Sequence, residues 1–181
     1  VDLADFTDAN ARDARYLDCL NRISGGEWPN PYHTDVKPAP PTDLVGLRVY
    51  PLDRQVYDYT QKRAYYGEPS GPPNVPYEQA FDKIAFRAGL GEEEQFFILD
   101  GYARGKHLHY DGNALLKLSD AGEDWLVDGD YLVRNTTEHN MVSVIRDGRC
   151  AELIPVCAGV LRQADLPRHG LCETVVRDYN G

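Results

Sequence analysis

The stretch FILDGYARGKHLHYDGNALLKLSDAGEDWLVDGDYLVRNTTEHNMVSVIR, Phe97–Arg146, holds three of the five histidines and the densest strand signals in the chain. In extended backbone, side chains alternate between faces, so His107, His109 and Asp111 would share one face. Two imidazoles and a carboxylate on one face suit a metal ion or a proton transfer. Downstream, Trp125-Leu126-Val127-Asp128 reads as a buried strand ending in a carboxylate, and Glu138-His139-Asn140 opens another apolar run. Donors thus come from three neighbouring segments, as a metal site on a β-scaffold requires.

Working outward, short strand patterns continue on both sides. Leu44–Leu52 reads as a strand that Gln55–Tyr59 pairs with, and the Pro/Gly-rich segment 67–77 as a long loop. Phe81–Ala88 alternates, with Phe81, Ile84 and Phe86 directed to a core, and Gln95–Leu99 follows an acidic turn. Ala114–Leu118, Asp124–Val127, Asn140–Ile145, Ala151–Val156 and Glu173–Arg177 complete the series, separated by turn signals such as Asp-Gly. Many short strands at even spacing predict an all-β chain, a sandwich or a barrel.

The N-terminal part differs. Thr7 or Asp8 is expected to cap one short helix running to about Ile23, with Ala11, Ala14, Leu17 and Leu20 on one face and Gly25-Gly26 as its stop. Residues 27–43 contain five prolines and read as a linker or surface strap, with His33 exposed in it. The expected division is 1–43, helix and Pro-rich linker, and 44–181, the β domain.

With 181 residues and 42% apolar content, the chain can bury a real core and has no run of membrane-spanning length. A net charge of −10 argues against nucleic acid as a partner. The acidity is uneven: residues 1–100 carry 10 Lys/Arg against 17 Asp/Glu, and residues 101–181 carry 9 against 12. The candidate site therefore lies in the half less repulsive to an anion, flanked by Arg104, Lys106 and Arg134. The chain opens on Val without a leader pattern, which suggests a fragment or a processed product. Cys19, Cys150, Cys157 and Cys172 are too few and too irregular for a disulfide scaffold, although one bridge among the last three is open.

His109, Asp128 and His139 form a common zinc donor set, with the fourth position open to water or a further side chain. If His109 turns to a metal, His107 is left beside it to act as acid or base. Arg104 and Lys106 are candidates for holding an anionic group of a substrate. Asp111 and Asn113 continue the face, and structural roles suit them better than ligation. There is no Gly-x-Ser-x-Gly, P-loop, dinucleotide fingerprint or Cys/His nucleophile pair. The 12 tyrosines suit mixed core and surface use better than a carbohydrate groove.

Four motifs in order carry a family resemblance: Phe97–Tyr102, then His107-x-His109-x-Asp111-x-Asn113, then Trp125–Tyr131, then His139-Asn140 with Val142–Val144 and Arg146–Gly148. Together they resemble the heparinase II/III-like polysaccharide lyases, closely over about 81–148. The resemblance implies an antiparallel super-sandwich, incomplete here at its C-terminus. It also implies a helical toroid domain upstream, of which the helix near 8–23 would be the last remnant. The implied activity is β-elimination on an acidic, uronic-acid-containing polysaccharide such as a glycosaminoglycan, in the periplasm or outside the cell. His107 matches the histidine that takes part in catalysis, and His109, Asp128 and His139 match the zinc ligands. The catalytic tyrosine would lie in the toroid, so this portion alone is expected to be inactive. Two other readings compete: a cupin-type metal enzyme, which wants a Glu where Asn113-Ala114-Leu115 stands, and a non-catalytic carbohydrate-binding sandwich.

Overall fold

The computed structural model describes residues 12–28, 30–62, 75–102, 111–129, 136–143, 145–147, 149–150, 157–167 and 169–177. The chain forms two compact units, Val1–Val45 and Gly46–Gly181.

In the first unit, α1 runs over Ala14–Ile23. Asp13 caps it, its carboxylate accepting from the N–H groups of Arg15 and Tyr16 at 2.9 and 3.4 Å. This corrects the expected start at Thr7 or Asp8, which lie outside the described residues. Asp13 satisfies two of the orphan donors that every helix start presents. At the other end the N–H groups of Gly25 and Gly26 reach the carbonyls of Arg22 and Asn21 at 3.0 and 2.7 Å. Both glycines have positive φ, 64° and 91°, so the expected stop is a Schellman turn. Leu17 is fully buried. His33 is exposed, as expected, with φ 54°.

The second unit is an antiparallel, sandwich-like all-β fold. Strands β1 (Gly46–Pro51), β2 (Phe81–Arg87), β3 (Phe96–Asp100), β4 (Leu115–Asp120) and β5 (Glu123–Val127) form one sheet in sequence order. Cross-strand pairing puts Leu47, Phe86, Phe97, Leu118 and Leu126 in one row across a single face. Val49, Ile84, Leu99 and Leu115 form the next row. Leu115 and Leu118 share the face although they stand three positions apart, because the register slips by one between Ile98 and Leu99. Leu116 is the extra residue, a β-bulge.

After the short ladder of β6 (Ile145–Arg146) and β7 (Arg149–Cys150), the hairpin of β8 (Gly159–Leu166) and β9 (His169–Val175) supplies the second layer. Val160 and Cys172 pack with Leu47, Phe81 and Ile84. Gly170 lies so close to the sheet that a Cβ there would stand 3.0 Å from the Phe86 ring. Phe81 and Ile84 are completely buried, each contributing about 1.5–3 kcal/mol through removal of its side chain from water.

Four expectations need correction. Gln55–Tyr59 belongs to a second helix, α2 (Arg54–Lys62), not to a strand. Asp53 accepts from the N–H groups of Gln55 and Val56 at 2.8 and 3.1 Å, and Arg54 pairs with Asp58 one turn on, so local capping outweighs the β-propensity of Val and Tyr. Trp125-Leu126-Val127 is not buried: β5 is the outer strand of its sheet, with Trp125 66% and Val127 59% exposed. Residues 136–143 form a turn of 3₁₀ helix, Thr136–Glu138, and bends instead of the strand expected from Asn140, and Val142 is 90% exposed. The last strand begins at His169, not Glu173, because it pairs with β8, whose mostly exposed side chains show no alternation to read. The strand expected at 151–156 lies outside the described residues.

Candidate metal centre

Asp128 follows the last residue of β5, and its N–H donates to the carbonyl of the bulged Leu116 at 2.8 Å. The bulge thus helps to orient the strand end. One carboxylate oxygen of Asp128 lies 2.9 Å from His139 Nδ1, and the other accepts the Asn140 N–H at 3.1 Å. Both side chains are nearly sealed from water, His139 at 1% and Asp128 at 7% exposure. A carboxylate at Nδ1 sets the orientation of the ring and can select its tautomer.

Asn140 is the clamp that brings the two segments together. Its carbonyl accepts from Leu115 N–H at 2.8 Å and its side-chain amide donates to Leu115 O at 3.4 Å. The same residue therefore holds β4 and, through Asp128, the end of β5. In the sequence Asn140 reads only as His139's neighbour and the start of a strand. Its role depends on backbone pairing, which no residue pattern announces.

Asp111 is the third member. Donor atoms from Asp111, Asp128 and His139 all lie within 4.8 Å of one another. Asp111 opens a turn in which Ala114 N–H donates to its carbonyl at 2.8 Å and Asn113 takes a left-handed φ of 68°, tolerable for Asn. The structural role expected for Asp111 is real, but its carboxylate also joins the donor group.

The segment between these parts starts and ends at one place. Asp100 N–H donates to Ala114 O at 2.9 Å, and Asn113 N–H donates to Asp100 O at 2.8 Å. Gly101 N–H reaches Asp82 O at 2.8 Å, and the Asp100 carboxylate takes Tyr102 N–H at 3.0 Å and Lys83 Nζ at 2.9 Å. Burial pushes the Asp100 carboxyl up, against the pull of Lys83. For Lys83, burial acts downward, but the carboxylates of Asp100 and Asp82 outweigh it and the net direction is up. His107, His109, Arg104 and Lys106 fall between Tyr102 and Asp111 in the sequence, outside the described residues.

Two imidazole or carboxylate donors held this close, with a third beside them, fit a divalent cation such as zinc by their chemistry. Asn113 Oδ1 and Thr136 Oγ1 are also buried nearby in sequence, without a hydrogen-bond partner among the described residues. Comparisons with protein-family models, curated proteins and solved structures return no match.

Proposed function

We propose that this chain is the metal-carrying β-sandwich of a polysaccharide lyase acting on uronic-acid-containing polysaccharide by β-elimination. One observation carries the reading. Asp128 and His139, two of the three positions that the resemblance assigns to zinc, have side-chain atoms 2.9 Å apart in a buried setting. The two groups are joined by a direct hydrogen bond, and both are donors of the kind a divalent ion takes.

In this reading His109, Asp128 and His139 hold zinc, and the ion when bound supplies a fixed positive charge near the substrate. His107 exchanges a proton with the sugar, and Arg104 and Lys106 attract its anionic groups. A base takes the proton from the carbon α to the carboxylate. The freed electron pair forms the C–C double bond as the bond to the glycosidic oxygen at C4 breaks, and that oxygen takes up a proton. A helical toroid of the same protein would contribute the tyrosine. Acidic polysaccharides of this kind lie in the periplasm or outside the cell.

The test uses the protein encoded by the full coding sequence, with heparan sulfate, alginate and other glycuronans offered in turn. Release of unsaturated uronate is followed by its ultraviolet absorbance, and bound zinc by elemental analysis. His107→Ala is expected to cut turnover by about 10²–10⁴ while zinc content and melting temperature hold. Zinc lost together with His107 would favour a cupin-type ligand role, and no unsaturated product from any substrate would end the lyase reading.

A further inference from the structure

The second layer of the β unit is narrower than the first. The β8–β9 hairpin lies against β1 and β2, where Leu47 is buried and Gly170 rests close to the Phe86 ring with no Cβ between them. The apolar row of the five-stranded sheet runs on past it, through Phe97 and Leu118 to Leu126, which is 41% exposed. A cleft of about 420 Å³ opens there. Its floor is Leu47, Phe86, Phe97 and Leu118, and its wall, among the described residues, comes from β9 and not β8, at His169, Gly170 and Cys172. Among the described residues β9 pairs on one side only, with β8. A strand bonded on one side turns the N–H and C=O groups of every second residue toward the other. The cleft therefore joins an apolar floor to a row of open hydrogen-bonding groups.

We propose that this cleft takes an extended peptide of a partner protein as an added strand beside β9, apolar at every second position and basic at one end. The alternation follows from the period of a strand: one set of side chains meets Phe97 and Leu118, and the other meets solvent. The basic end follows from charge. Among the described residues no carboxylate lines the cleft, but Gln95 at its rim comes directly after Glu92, Glu93 and Glu94, all exposed, in a chain of net charge −10. A cation on the peptide is attracted to that end, and an acidic peptide is repelled from it.

The experiment offers the whole chain a synthetic peptide of alternating valine and threonine that ends in lysines. Calorimetry follows binding, and hydrogen exchange follows the β9 amides. Binding with slowed exchange within His169–Val175 is expected. Methylating alternate amide nitrogens of the peptide, gathering its valines into one block, or replacing its lysines by glutamates should each weaken binding about tenfold or more. Leu118→Lys, which puts a charge into the floor, should do the same. Should that variant fail to fold, the peptide series on the unsubstituted chain decides by itself. Equal binding of the methylated or the blocked peptide would mean apolar adhesion without strand pairing and overturns the proposal, as does no binding at all. Slow β9 exchange without peptide, together with a dimer in light scattering, would give the edge to a second copy and overturn it too.

Discussion

The carboxylate of Asp128 spans two partners at once, His139 Nδ1 at 2.9 Å and the Asn140 backbone N–H at 3.1 Å. It is the joint through which the end of β5 meets the 136–141 bend. Asp128→Asn keeps an oxygen for the Asn140 N–H but puts a neutral amide beside the imidazole. The variant is expected to lose about 1–3 kcal/mol, the cost of breaking a buried charge-assisted bond. Urea denaturation measures this, and an unchanged midpoint would show that the pair contributes nothing to folding.

Gly101 admits no side chain. A Cβ there would collide with the ring and the carbonyl oxygen of Phe81, a residue that is itself completely buried. Gly101→Ala should therefore cost about 1–3 kcal/mol or more through overpacking. Gly91→Ala is the control, since its new methyl would meet only the flexible Glu94 side chain at 3.3 Å. Thermal melts of the two variants should separate clearly.

How much of this was legible in the residues follows from which forces act locally. The FDKIAFR strand was readable from its apolar Phe81, Ile84 and Phe86; Ile84 and Phe86 alternate, and Phe81, one position out of step with them, is buried where the ladder to β1 slips. Gln55–Tyr59 was read as a strand, and only the two backbone N–H groups that Asp53 accepts reveal a helix start. Trp125-Leu126-Val127 was misjudged because apolar composition reports what a strand can bury, not whether a neighbour exists to bury it. Asp111, Asp128 and His139 were all picked out in the sequence, Asp111 for a structural role, whereas the turn that Asp111 opens and the clamp that Asn140 makes depend on main-chain bonds that no residue pattern announces.

Lys83 stands between Asp82 and Asp100, and its side chain is mostly covered. Lys83→Met would strip the buried Asp100 carboxylate of this cation and should cost about 1–3 kcal/mol at neutral pH. The sign with pH follows from the direction of the lysine shift, which is upward. The lysine's contribution is fully present below its ordinary value of 10.5 and fades as pH rises through the higher folded value. The stability gap between the two proteins should thus narrow in strong alkali; a constant gap would argue against the ion pair.

Asp13 gives the opposite case. Its carboxyl is held down at about 2, first by the Arg15 side chain and then by the Arg15 backbone N–H. A lowered folded value means that the cap's contribution is complete above the ordinary 3.8 and is lost as pH falls toward 2. Carbon-detected NMR titration should find Asp13 protonating well below a typical surface aspartate. A midpoint near 3.8 would show that the cap does not form.

The bulge at Leu116 has a consequence for anyone who would borrow this site. Two leucines three apart facing the same way amount to a change of parity halfway along β4, and the Leu116 carbonyl released by that change receives Asp128. Deleting the one extra residue would not merely shorten a strand. It would turn half of β4 inside out and remove the acceptor of the Asp128 backbone N–H. A transplant of Asp128 and His139 onto another sheet would therefore have to carry this irregularity along with the two side chains.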